Sequence, residues 1–252
     1  MRSSVALRHR GAAVGLCAIA LLITASALWS SDDSATGAAA ERKSSAFAVV
    51  GDGSLPDDRP ELLRPRDPLT AAETGYAIHR AITHPSVPSG ATDVRGEPGP
   101  EVLFADLPDA AGASTRREAV VNLYDYSSDT ALQQVVDLAS GSVSSVQSPD
   151  LHPPLSSAEG EVALRLAIDK GPATLAMKQQ FEQVHGSPLV GADQVGHVAG
   201  VFIYDGTTAF GEECGRHRCA QLLIRLPSGD YLDTTDFVID LSTKSVITSR
   251  EG

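Results

Sequence analysis

The chain is short of positive charge: 20 Lys and Arg stand against 32 Asp and Glu, a net charge of −12 over 252 residues. Its body holds no basic cluster and no basic-aromatic stripe, so a phosphate backbone is repelled and nucleic acid is not expected as a partner. No G-x-S-x-G elbow is present, which removes the usual serine-hydrolase signature. EF-hand spacing is absent as well. Cysteine is scarce, with only Cys17, Cys214 and Cys219. The seven histidines (His9, His79, His84, His152, His185, His197, His217) never form His-x-His.

The basic residues that do occur early have a clear use. Arg2, Arg8 and Arg10 precede the uncharged, mostly apolar run 11–29, which ends in polar SSDDS. That is an export signal at 1–29. Ala25-Ser26-Ala27 fits a small-x-small cleavage site, while 19 residues at about 1.5 Å each reach roughly 28 Å, enough to span a bilayer. A cleaved signal peptide and an uncleaved anchor through 11–29 both stay open. Either places the body outside the cytoplasm, secreted or membrane-anchored.

Residues 30–66 are rich in Ser, Ala, Gly, Asp and Pro and read as a flexible linker, with Phe47–Val50 as one short piece able to dock. Structure begins at Asp67. Thr70 and Glu73 form a capping box that opens a helix with Ala71, Ala77, Ile78, Ala81 and Ile82 as its apolar face, ended by His84-Pro85. Strands are expected at Glu101–Leu107, Arg116–Tyr126, Ala131–Leu138 and Ser142–Gln147, with turns at Ser127-Ser128-Asp129 and Ser140-Gly141.

The pattern then restarts. Pro154–Glu159 matches Pro68–Glu73 at four of six positions, with Ser156 and Glu159 rebuilding the capping box. Val162, Ala163, Leu166 and Ala167 give the second helix its apolar face, Gly171-Pro172 break it, and Leu175, Met177, Phe181 and Val184 extend a further helix to His185-Gly186. Strands follow at Val198–Tyr204, Arg218–Leu226 and Tyr231–Phe237. From Val238 the phrase VIDLSTKSV echoes VVDLASGSV of 135–143. Two repeated phrases in the same order predict a duplicated unit at 67–149 and 153–249, the second carrying an inserted helix. Val135 with Val143, and Val238 with Val246, are expected on buried faces. The fold class is α+β: two tandem units, each a helix plus an antiparallel sheet.

The phrases DPLTAAE, RREAVVNLYDYSSDTALQQVVDLASGSVSSV and PPLSSAE resemble the paired small N-terminal domains of copper amine oxidases. The resemblance implies a cystatin-like arrangement, a helix against a curved antiparallel sheet, over roughly Asp67–Thr248. It does not carry the activity. That family's quinone forms from a tyrosine in an Asn-Tyr-acid motif beside three histidines, whereas the single asparagine, Asn122, is followed by Leu123. No catalytic, cofactor-binding or metal residue is assigned.

Cys214 and Cys219 flank His217. In an exported chain they are expected to pair as a disulfide rather than to ligate metal. His185, Asp193 and His197 are near in sequence but lack a third ligand or nucleophile. Asp230, Asp233 and Asp236 read as turn and strand positions, and Ser228 as part of a turn. Tyr124, Tyr126, Phe202, Tyr204 and Tyr231 read as core and cross-strand packing, with one sheet face able to present aromatics to a partner. The expected function is a non-catalytic exported binding or scaffold protein whose partner is a protein or a small cationic ligand. The alternatives are an accessory subunit of a separately encoded oxidase, and a small metal-dependent enzyme using His185, Asp193, His197 or His217.

Purified protein given copper and oxygen is therefore expected to develop no quinone absorbance and to release no hydrogen peroxide from primary amines. Copper-dependent peroxide that disappears in Tyr124→Phe or Tyr204→Phe protein contradicts this.

Overall fold

Helix α1 spans Ala71–Ile82 and begins as the capping box dictates: the Glu73 N–H donates to Thr70 Oγ1, and the Glu73 carboxylate accepts from the Thr70 N–H. The computed structural model describes residues 55–109, 115–148, 151–170 and 172–249. After α1 come β1 (Glu101–Asp106), β2 (Glu118–Asp125), β3 (Thr130–Asp137) and β4 (Val143–Ser148). They form an antiparallel sheet in the order β1-β2-β3-β4. Helix α2 (Ser157–Asp169) has its own capping box on Ser156 and Glu159, and α3 (Leu175–His185) follows it. Strands β5 (Gly196–Phe202), β6 (Cys219–Arg225), β7 (Phe237–Asp240) and β8 (Ser245–Thr248) form a second antiparallel sheet in the order β5-β6-β7-β8. The class is α+β, and all the described residues fall in one compact unit.

Each helix covers one sheet. Tyr76, Ala77, Ile78 and Ala81 of α1 pack with Ala119, Val121, Leu123, Leu132 and Val136. Ala163, Leu164, Ala167 and Ile168 of α2 pack with Ala220, Leu222, Ile224, Phe237 and Ile239, and Met177 and Phe181 of α3 join them. Gly186, in the left-handed conformation at φ 79°, ends α3. Ala71, expected on the apolar face of α1, is exposed. The capping box places it on the first turn, where the helix has not yet reached the sheet.

Three further expectations are corrected. The flexible linker does not run to Arg66, because Leu55 and Leu62 pack against the first core and the Leu63 N–H donates to Glu73. Its Pro and Asp content hid two anchoring leucines. Val135 and Val238 do not share a face with Val143 and Val246: the registers Val136↔Val143 and Ile239↔Val246 put the residue one later on the helix side. A slip of one residue reverses the face. Of the expected strand Tyr231–Phe237, only Phe237 is in one, as the first residue of β7; Tyr231–Asp236 is not a strand. It runs beside β6 through the Arg225↔Tyr231 bridge and the Leu232 N–H, and then through side chains, Thr234 Oγ1 donating to the Leu222 carbonyl and Gln221 Nε2 to the Thr234 carbonyl. Asp233 turns the backbone there by accepting from the Thr235 N–H and hydroxyl. The expected export segment and the Phe47–Val50 strand lie outside the described residues. Among the described residues, no helix is long and apolar enough to cross a membrane.

One interaction occurs in both halves. Arg117, just before β2, donates Nε and Nη2 to the two oxygens of Glu73 at 2.8 and 2.7 Å. Its remaining N–H groups go to the carbonyls of Arg64, Pro65, Asp67 and Pro68. Arg218, just before β6, donates Nε and Nη2 to Glu159, Nη1 to the Pro153 carbonyl and Nη2 to the Pro154 carbonyl. Glu73, Glu159 and Arg218 are fully buried. The glutamate that caps the helix thus also clasps the start of the second strand of its sheet and the chain in front of the helix.

A bidentate pair so buried leaves a stranded charge when one partner is removed. Arg117→Met and Arg218→Met are each expected to cost about 3 to 5 kcal/mol in urea unfolding. Burial alone raises the Glu73 pKa, but the Arg117 guanidinium and the Thr70 and Leu63 N–H groups outweigh it and lower the pKa from 4.5 to about 2. The folded value lies below the unfolded one, so the contribution is full above about pH 4.5 and is lost as pH falls toward 2. Glu73→Gln protein should show a flatter stability profile across that window, and an unchanged acid limb counts against the clasp.

Candidate functional site

The two halves meet along a polar seam. Tyr126, at the end of β2, donates its hydroxyl to Glu159 Oε1 at 2.6 Å, so the clasp of the second half is completed by the first. The Arg218 guanidinium lies 4.8 Å from the centroid of the Tyr124 ring, and the Lys244 ammonium 4.4 Å from that of Tyr126. The two tyrosine rings meet edge to face at 4.9 Å. The Tyr124 hydroxyl donates to Asp129 at 3.3 Å, and the Ser242 hydroxyl of the opposite half donates to the same carboxylate. Burial, then the negative charge of Glu159, pushes the Tyr126 phenol far above its ordinary range. Burial and Asp129 do the same for Tyr124. Both phenols remain protonated at neutral pH and act as donors, not as nucleophiles.

Beside this seam a cleft of about 720 Å³ opens along β1. All six residues of β1, from Glu101 to Asp106, line it. Leu69, Thr74 and Ile78 supply one wall, Ser156, Ser157 and Ala158 at the start of α2 another, and Asp93 and Arg95 stand at one end. Glu101 is buried and accepts from the Ser156 hydroxyl at 2.7 Å and the Val94 N–H at 3.3 Å. Burial still raises its pKa. Arg95 is tied to Glu161 at 3.2 Å.

The residues singled out from sequence are scattered. His185 ends α3 with its ring 4.9 Å from that of Phe181. Asp193 is exposed in a short turn, while His197 of β5 packs beside Gly160 of α2, where burial lowers its pKa. His217 Nδ1 lies 2.8 Å from Asp240 Oδ2. In the first half Arg116 approaches Asp137 at 3.6 Å from the corresponding place, so the imidazole stands where a guanidinium does and serves the same turn. Among the described residues no group of three or more His, Cys, Asp or Glu side chains is placed to hold a metal ion. Ser228 donates to Asp230 within a turn, and Asp236 uses its carbonyl to accept from Thr248. Phe202 and Tyr204 pack around the two cysteines, whereas Tyr231 is exposed.

Arg117, Arg218, Glu101 and the second role of Glu159 went unread in the sequence. A signal was available: each arginine sits immediately before an apolar strand, where a charged residue is costly unless paired.

The sulfurs of Cys214 and Cys219 lie at disulfide distance, with Cα atoms 5.5 Å apart. Thiol labelling of the intact, unreduced protein should find neither, and reduction should cost about 2 kcal/mol by the loop-entropy relation. Labelling at both positions overturns the pairing. No known protein-family model matches the chain, and no curated protein matches it.

Proposed function

We propose that the protein is a non-catalytic exported binding or scaffold module, built from two cystatin-like helix-plus-sheet units related to the paired N-terminal domains of copper amine oxidases. The observation that carries the reading is the clasp: Glu73–Arg117 and Glu159–Arg218 occupy matching places, each joining a helix cap, the second strand of the sheet that follows and the prolines before the helix. Matching sites in both halves favour duplication of one unit. The tyrosines and carboxylates of the seam are engaged in holding the halves in register, which supports a rigid platform rather than a reaction centre.

Surface chemistry supports a binding role over a purely structural one. The cleft presents a strand edge and several carboxylates, and a chain of net charge −12 attracts basic partners over a Debye length of about 8 to 10 Å.

Cross-linking of the exported protein in its native envelope, followed by mass spectrometry, is expected to give a defined protein partner. Purified protein alone should turn over no substrate. Turnover by the isolated chain that is lost on chelation reverses the reading in favour of an enzyme, and an envelope with no cross-linked partner removes the binding role.

A further inference from the structure

We infer that the β1 cleft is a docking site for one extended, basic and apolar segment of a partner protein, which adds to the first sheet as a fifth strand. The inference rests on the binding-module reading and assigns that binding to one place.

The position of the cleft follows from strand geometry. Side chains along a strand alternate between faces, so a cleft touched by six consecutive residues of β1 runs along the strand's edge. It is also touched by Ile78 and Thr74 of α1 on one side and by Ser156–Ala158 on the other. Among the described residues β1 is the terminal strand of its sheet and pairs with β2, so its outward backbone groups face this space. Unpaired strand edges recruit extended chains.

The walls decide what kind of chain fits. Helices on both sides leave room for a single strand and obstruct the broad face of a second sheet, which argues against pairing with another copy of this protein. Six residues of β1 offer about 20 Å of edge. The register shift between Val102 and Phe104 makes Leu103 the extra residue, buried against Tyr124, so the edge is bent and rejects a long flat strand.

Charge sets the composition of the occupant. Asp93 and Glu101 lie at one end of the edge and Asp106 at the other, while the cation of the lining, Arg95, is held by Glu161. Between the ends are apolar Val102 and Ala105 and the exposed ring of Phe104. An alternating apolar segment with a basic residue at each end complements this layout.

The test uses the full chain and a fluorescent heptapeptide of alternating Val and Thr with a lysine at each end. Saturable binding that falls as salt rises is expected, together with slowed amide exchange at Val102–Asp106. Asp106→Lys, at an exposed position, should weaken binding about fivefold without changing the melting temperature. Equal binding of a peptide with glutamate at both ends overturns the inference. So does slowing confined to other strands, no binding at all, or β1 amides already slow before peptide is added, the last showing that the chain covers its own edge. A partner cross-linked elsewhere removes this inference and leaves the binding-module reading in place.

Discussion

Burying a carboxylate beside a guanidinium costs several kcal/mol of desolvation per ion, and the arrangement survives only when nearly every lone pair and N–H finds a partner. The Glu73–Arg117 clasp meets that demand with two N–H donors to the carboxylate from the backbone, two from the guanidinium, and carbonyls from four residues ahead of the helix. Satisfying the pair therefore fixes where the helix begins, where the second strand begins and how the preceding chain crosses them. The hydrophobic layer between α1 and its sheet closes over a geometry already constrained at one end.

The same logic explains why polar residues that suggest chemistry are occupied with structure. His217 steadies the turn that Asp240 organises through the Ser242 and Thr243 N–H groups, as Asp137 organises its own turn through Ala139 and Ser140. At the tip of each turn the backbone is left-handed, at Gly141 with φ 72° and at Lys244 with φ 55°. A Cβ at Gly141 would come within 2.6 Å of the Tyr76 hydroxyl, so glycine is required there. The second half tolerates a lysine and directs it across the seam onto Tyr126.

Local signals were legible, and long-range ones were not. Both capping boxes, Gly186 and the order of helices and strands followed from short patterns whose physics is contained within a few residues. The faces of Val135 and Val238 did not, because adjacent apolar residues, Val135-Val136 and Phe237-Val238-Ile239, offer no alternation and the register is set by the partner strand. Tyr231–Asp236 looked like part of a strand because its Thr and aromatic content suits one, yet the side chains of Asp233 and Thr234 took over the hydrogen bonding. The clasps were hidden for a different reason. Glu73 and Arg117 lie 44 positions apart, and nothing local to either announces the other. The cleft shares that difficulty, since it is assembled from α1, β1, the loop at Asp93–Arg95 and the start of α2.

The two clasps differ in who supplies the fourth donor. Glu73 receives it from the Leu63 N–H, 10 residues upstream in its own half, whereas Glu159 receives it from the Tyr126 hydroxyl across the seam. Elsewhere the seam is shared, Val94 of the first half being sealed into the second core and Glu101 accepting from Ser156. In the clasps alone, dependence runs in one direction. A chain made from its N-terminus presents the self-sufficient clasp first, so the tyrosine that the second clasp needs is already in place when its own residues arrive. Order of synthesis and order of structural need coincide, and exchanging the two halves in sequence would set them in conflict.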